Sequence, residues 1–374
     1  MENLLIVTAQ PEFLTAALDE LKRLDQGLTS IEVLNPGIAL CAAPDVAALM
    51  RLAEIKNPNK RPIFVRHLAP AQAVISLANT ERDIGKLALA IANLPAFQQL
   101  ERGVHFAVQT RLLQTGESHI NRPYTSGQLN QALAEAIAEE TGAVESIKKP
   151  QVIVSLLCTT EKGYLGISTS EENLSDWPGG MRHFAQTPEQ ISRAEFKLLE
   201  ALEVFGVTLP ERGRALDLGA APGGWTRLLL EAGLHVVAVD PAQLDPRLVA
   251  PRFIVGDSFI VGEPRLEHYR GYAETYLEDA RRGVSLPPPV RRFDVITNDM
   301  RMDAREAARL LVQARQCLRT DGFVISTLKL PHATREIDPL KTLKEALSLL
   351  RRHYGIVQAR QLFHNRQEVT VVAA

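Results

Sequence analysis

The sequence predicts an α/β protein in two parts: an open sheet of parallel strands in the C-terminal half, preceded by an α+β region. Three observations carry that expectation. Residues 214–230 read as strand, glycine turn and helix, because a short apolar run gives way to Asp217 and Gly219 and helical spacing resumes at Thr226. Apolar-rich runs then recur at 236–239, 253–255, 293–297 and 322–328, each closing on a charged residue within two positions, as strands covered on both faces require. The N-terminal half instead mixes short alternating segments, turn residues and helical spacing.

At 374 residues the chain has room for two or three cores, and 45% apolar against 23% charged residues is an ordinary globular balance. A net charge of −2 gives no general attraction for polyanions, so any nucleic-acid contact rests on a local basic face. Cys41, Cys158 and Cys317 lie far apart without a Cys-x-x-Cys pair, which points to buried reduced thiols. No apolar run approaches the roughly 20 residues needed to cross a bilayer, and no charged-then-apolar leader is seen, so a cytoplasmic protein is expected.

Residues 1–80 are expected to form a ferredoxin-like α+β subdomain. It starts with a strand at 4–8 and a helix through Phe13, Leu14, Ala17, Leu18 and Leu21. A hairpin of 31–34 and 38–42 turns about Asn35-Pro36-Gly37, and a helix covers 46–55. Lys56, Lys60, Arg61, Arg66 and His67 surround Phe64 and read either as a phosphate contact or as a solvated charged edge. Residues 81–185 repeat the pattern with a helix at 84–94, a strand at 104–110, a helix at 127–139 and a hairpin of 152–158 with 164–169. This stretch has no metal-ligand spacing and no acid pair beside a nucleophile, so it reads as a binding or positioning module. In the connector that follows, Trp177, Arg182 and His183 either stack on bases or, for Trp177, pack an inter-domain seam.

The remaining residues, 186–374, carry the candidate chemistry. An amphipathic helix over 192–202 holds Lys197, which by itself reads as a surface lysine. The turn that follows brings backbone close to a ligand at a helix start. A dinucleotide fingerprint wants Gly-x-Gly-x-x-Gly, whereas Gly219 is followed by Ala220, Ala221 and Pro222 before Gly223 and Gly224, which counts against an NAD-linked oxidoreductase. Asp240, about 20 residues past the first glycine, is placed for a ribose diol, and Asp257 for an adenine amino group; each alone equally reads as a helix N-cap. Residues 261–292 show helical spacing through Leu266, Tyr269, Tyr272, Tyr276 and Leu277, then a stiff Pro287-Pro288-Pro289 spacer with no assigned role. Asp299 and Lys329, at the ends of adjacent strands, should converge above the sheet. Glu368 opens the last strand and by itself reads as a polar strand edge.

The run Asp217-Leu-Gly-Ala-Ala-Pro-Gly-Gly-Trp225 is similar to the first motif of the class I methyltransferases, notably the heat-shock RNA methyltransferase group. With it, Lys197, Asp299, Lys329 and Glu368 resemble the Lys-Asp-Lys-Glu tetrad of RNA 2′-O-ribose methyltransferases. More narrowly the chain resembles the large-subunit ribosomal RNA methyltransferase M family, most closely over 192–200, 217–225, 328–331 and 358–371. The resemblance implies a Rossmann-like methyltransferase domain at 186–374, a THUMP-like RNA-binding subdomain at 81–185, and S-adenosyl-L-methionine as cofactor. It implies a cytidine of 23S rRNA as substrate; another RNA, or a non-catalytic RNA-binding protein that keeps the cofactor fold, are the alternatives. DNA, membrane and metal have no place in it. Cofactor contacts would come from Asp217, Gly219, Ala220, Pro222, Gly223, Gly224, Trp225, Asp240, Asp257 and Asp299. Lys329 would take the proton of the 2′-hydroxyl, Lys197 would orient that hydroxyl, Asp299 would align Lys329, and Glu368 would hold Lys197. As a buried lysine beside another cation, Lys329 is expected to have a lowered pKa.

Overall fold

The first strand, β1 (Leu4–Thr8), is buried along its whole length because it runs between two partner strands. In the computed structural model, which describes residues 3–54, 61–114, 122–249, 265–282, 292–334 and 336–374, the chain divides into two units between Arg182 and His183. The N-terminal unit continues with α1 (Leu14–Leu24), β2 (Thr29–Asn35), β3 (Ile38–Ala42), α2 (Val46–Ala53) and β4 (His67–Ala71), giving an antiparallel sheet of order β2-β3-β1-β4. The β2–β3 hairpin needs its glycine: Gly37 has φ +79, and an added Cβ would lie 2.4 Å from the Ala9 carbonyl oxygen. Asp45 caps α2 by accepting from Ala48 N at 2.9 Å.

A second sheet follows in the same unit. It comprises β5 (Ala73–Ser76), β6 (His105–Leu112), β7 (Val144–Glu145), β8 (Val152–Cys158) and β9 (Lys162–Thr169), in the order β5-β9-β8-β6-β7. The helices α3 (Arg82–Ala92) and α4 (Ser126–Thr141) cover it, burying Leu87, Ile91, Leu129 and Leu133 against Phe106 and Ile167. A capping box of Thr125 and Gln128 starts α4. Strands β4 and β5 were not expected from the sequence. Pro70 breaks the strand pattern, and β4 accommodates it because it lies at a sheet edge. Since β5 pairs with β9, membership of the second sheet begins at Ala73, ahead of the expected boundary at 80. His67, expected near phosphate, is only 4% exposed, and burial holds its imidazole pKa down to about 3, so it is a neutral interior group. Phe64 stacks on Phe13 in the core, while Lys56 and Lys60 lie outside the described residues.

The C-terminal unit builds one seven-stranded sheet. Its strands are β10 (Arg214–Leu218), β11 (His235–Val239), β12 (Leu266–Tyr269), β13 (Phe293–Asn298), β14 (Leu318–Lys329), β15 (Val357–Arg360) and β16 (Glu368–Ala373). Their order is β12-β11-β10-β13-β14-β16-β15, parallel except that β16 runs against both its neighbours. The helices are α5 (Glu195–Phe205), α6 (Gly224–Glu231), α7 (Pro246–Val249), α8 (Ala273–Arg282), α9 (Ala304–Ala314) and α10 (Pro339–Arg351). From β10 the chain winds toward β12, and from β13 it winds the other way, so the crevice for a ligand opens between β10 and β13. One expectation is corrected here. The strand beside β11 is Leu266–Tyr269, which the helical spacing of Leu266, Tyr269 and Tyr272 had hidden; the helix begins only at Ala273. The expected strand 253–255, Asp257 and the spacer Pro287-Pro288-Pro289 lie outside the described residues. Among those residues no helix is long and apolar enough to cross a membrane.

Candidate active site

At the end of β10 the chain turns through Gly219, whose φ is +72 and where an added Cβ would lie 2.1 Å from Met300 Cγ. Gly223, with φ +113, would place a Cβ 2.2 Å from Leu248 Cδ1. Positive φ strains any other residue at these two positions, so the turn is built from bare backbone. Asp240, at the end of β11, braces the turn: Oδ2 accepts from Ala221 N at 3.1 Å and Oδ1 from Ala242 N at 2.8 Å. Each oxygen keeps acceptor capacity for a further donor.

Three of the residues expected at the cofactor point their side chains inward. Asp217 is buried, with Oδ2 accepting from Thr226 Oγ1 at 2.6 Å and Oδ1 from Thr297 Oγ1 at 2.8 Å, so it ties β10 to α6 and β13 from beneath the turn. Burial pushes its carboxyl up to about 6, partly offset by those two hydrogen bonds. Ala220 packs against Ala238 and Leu244. The Trp225 ring lies in the core with Leu198, Phe205 and Ile325, and its Nε1–H donates to Ala194 O at 2.7 Å. The first turn of α6 faces α5, which leaves that indole nowhere else to go.

The four charged residues far apart in sequence come together as a closed ring. Lys329 and Glu368 are register partners on β14 and β16, so their side chains leave one face together. Asp299 follows the end of β13, and Lys197 reaches in from α5, whose Leu198, Ala201 and Phe205 pack with Trp225, Ile325 and Val372. Lys197 Nζ lies 3.3 Å from Asp299 Oδ2 and 2.6 Å from Glu368 Oε1. Lys329 Nζ lies 2.5 Å from Asp299 Oδ1 and also pairs with Glu368 Oε2. Each carboxylate therefore bridges both lysines, rather than Asp299 serving one and Glu368 the other. The side chains are 8–22% exposed, enough to be reached from the crevice and little enough to strengthen the attraction. Burial disfavours the Lys197 ammonium, but Asp299 and Glu368 outweigh it and raise its pKa, as suits the second, charged lysine of the expected pair.

Sequence reasoning missed three supporting residues. Thr327, fully buried, donates to Asp299 Oδ1 at 2.5 Å and accepts from Lys329 Nζ at 2.8 Å. Its place two residues before Lys329, on the same face of a strand, was the available signal. Glu195 accepts from Ile191 N at 2.7 Å and pairs with Arg227, which locks the start of α5 to α6. Glu200, one turn beyond Lys197, accepts from Phe363 N at 2.8 Å and His364 N at 2.9 Å, tying α5 to the loop that leads to Glu368. Of the earlier candidates for base stacking, Arg182 pairs with Asp176 at 3.2 Å, Trp177 is half-buried before a short turn at Pro178–Gly180, and His183 is exposed.

Residues 190–357 match the FtsJ-like methyltransferase family model. The chain is 34% identical to ribosomal RNA large subunit methyltransferase M of Halorhodospira halophila over 205 residues, 53% of this chain and 51% of that protein. It is 30% identical to the protein of the same name from Marinobacter nauticus over 290 residues, 70% of this chain and 69% of that one. The chain belongs to the ribosomal RNA large subunit methyltransferase M family. Its match spans about half the length of the Halorhodospira relative and just over two thirds of the Marinobacter one. A solved structure, TrmN from Thermus thermophilus, aligns over 99% of each chain at 19% identity and a TM-score of 0.38. S-adenosyl-L-methionine is the cofactor of this methyltransferase family, and the crevice fits it. The glycine turn offers backbone at close range, and the Asp240 carboxylate, with acceptor capacity to spare, follows the next strand end. Among the described residues no group of three His, Cys, Asp or Glu side chains could hold a metal ion.

Proposed function

We propose that this member of the methyltransferase M family transfers a methyl group to a ribose 2′-hydroxyl of RNA, at a cytidine of 23S rRNA, in the cytoplasm. Residues 81–185 serve in this reading as a THUMP-like RNA-binding module. The observation that supports it most is the ring of two lysines and two carboxylates at the carboxyl end of the sheet. A ribose hydroxyl is a poor nucleophile at neutral pH, so a base must take its proton during attack. When bound, the cofactor supplies an electrophilic methyl on a positively charged sulfur.

Lys329 is the base. Its Nζ is held by Asp299, Thr327 and Glu368, so the amine left after proton loss keeps its place through the hydroxyl of Thr327. Lys197 remains charged, held by both carboxylates, and orients the acceptor oxygen. With two positive and two negative groups the ring is neutral overall; a further cation beside it favours release of one proton from the ring. The same carboxylates then stabilise the positive charge at the reaction centre. The backbone of 219–224 and Asp240 hold the cofactor.

The test is methyl transfer from labelled S-adenosyl-L-methionine to 23S rRNA from cells lacking the enzyme, followed by nucleoside mapping. Label on a cytidine 2′-oxygen is expected. Label on a base, or its persistence when the acceptor ribose is replaced by deoxyribose, would contradict the reading.

A further inference from the structure

We infer that the loop between β15 and β16, with the segment ahead of α5, forms a stacking platform for an unpaired nucleobase of the RNA strand, beside the ring of lysines and carboxylates. This rests on the RNA-methylation reading and says how that site would grip its substrate. Five rings carry it. Phe184 stacks on Phe196 with centroids 5.8 Å apart, His364 lies 5.6 Å from Phe184 and 5.3 Å from Phe196, and Phe363 lies 5.2 Å from both His364 and His183.

These rings stay out of the core. On α5 itself Phe205 packs inward with Trp225 and Ile325, whereas Phe196 is half-buried; Phe184, Phe363 and His364 are half-buried and His183 is exposed. The loop that presents them is nevertheless firmly held. Glu200 fixes the Phe363 and His364 backbone, Asn365 Oδ1 accepts from Leu362 N at 2.8 Å and Thr370 Oγ1 at 3.0 Å, and Gln361 Nε2 donates to Arg366 O at 3.0 Å. A rigid loop that keeps aromatic rings at the surface, only half-buried, is built for contact rather than for packing. Position and charge select the partner. Phe196 adjoins Lys197, the loop runs directly into Glu368, and Arg193 and Arg366, three residues before Phe196 and two after His364 in the sequence, are exposed. Ring faces with flanking cations suit single-stranded RNA, whose bases offer open faces that a duplex keeps stacked.

The experiment uses the full-length protein with Phe184→Leu and Phe363→Leu, which keep apolar volume and remove the ring, and Phe363→Tyr, which keeps the ring. Affinity for a short mixed-sequence single-stranded oligoribonucleotide, and for the same strand paired with its complement, is read by fluorescence anisotropy. S-adenosyl-L-methionine affinity and the melting temperature are measured alongside. The expected result is a loss of about tenfold in single-strand affinity for each leucine variant, with duplex affinity, cofactor affinity and melting unchanged, and recovery in Phe363→Tyr. Leucine variants that bind the single strand like wild type while RNA is still methylated would overturn the platform alone, as would a loss that Phe363→Tyr shares. A wild-type protein that methylates no RNA would remove the RNA reading, and the platform with it.

Discussion

Two places in this molecule take cations out of water, and they do so in opposite ways. In the C-terminal unit Lys197 and Lys329 each face both Asp299 and Glu368, and for Lys197 the attraction exceeds the cost of burial, so its pKa rises. In the N-terminal unit Arg111 on β6 donates from Nη1 to Thr8 Oγ1 at 3.0 Å and has no carboxylate partner among the described residues. Burial alone pulls its pKa down to about 10, and beside it His67 is held neutral. Packing keeps Arg111 in place: a Cβ at Gly179 would lie 2.3 Å from its guanidinium, so backbone lies flat against it. Where opposite charges set the geometry, groups are aligned for chemistry before any substrate arrives. Where packing and a neutral hydroxyl confine a cation, the surroundings bear a standing electrostatic cost.

Removing one charge from the ring should have the largest consequence. Glu368→Gln leaves two ammonium groups against one carboxylate, so both lysines lose one of the two charges that orient them. Methyl transfer is expected to fall by about 10²-fold or more, with cofactor affinity little changed, since Glu368 serves the ring rather than the glycine turn. A rate within a few-fold of wild type would mean that the bridging seen in the structure is not what aligns the lysines.

The buried acid beneath the turn gives the next largest effect, this time on stability. Because the folded Asp217 carboxyl sits near pH 6, above its ordinary value of 3.8, the ionised form is penalised in the fold. That penalty is absent below about pH 4, grows as pH rises to about 6 and is complete above it. Asp217→Asn should abolish this slope and raise stability at neutral pH by up to about 3 kcal/mol, less whatever is lost from the Thr226 and Thr297 bonds. Denaturant titrations between pH 4 and 7 read the slope. An unchanged slope in the variant would mean that another group titrates there.

Arg111→Met should have the smallest effect at neutral pH, within about 1 kcal/mol, because no ion pair is broken among the described residues. Its signature lies in acid. His67 titrates normally when unfolded but is depressed to about 3 in the fold, first by burial and then by Arg111, so stability is lost as pH falls from about 6.5 toward 3. Taking away Arg111 removes the second cause, and the acid loss should become shallower. A steeper loss in the variant would show that the guanidinium supports His67 rather than opposing it.

Much of the catalytic unit could be read from residue types at special places. Gly219 and Gly223 stand where φ is positive, and Asp240, Asp299 and Lys329 close strands whose apolar runs are plain in the sequence. Glu368 was recoverable only through the family pattern, since its meaning depends on pairing with Lys329 across two strands. What stayed hidden followed from context. Pro70 masked β4, and Leu266-Glu267-His268-Tyr269 is too short and polar to advertise a strand until it lies beside β11. Trp225 and Asp217 carry the right motif letters, yet packing against α5 and hydrogen bonds to two threonines turn their side chains inward. Thr327 and Glu200 are ordinary residues whose importance comes only from what they touch.

The most direct measurement is single-turnover methyl transfer by Lys329→Ala, paired with calorimetry of S-adenosyl-L-methionine binding. The ring at the end of β14 predicts a rate lower by about 10³-fold or more, cofactor affinity within about twofold of wild type, and no recovery as pH is raised. Transfer that persists within about tenfold of wild type would contradict the assignment of Lys329 as the base.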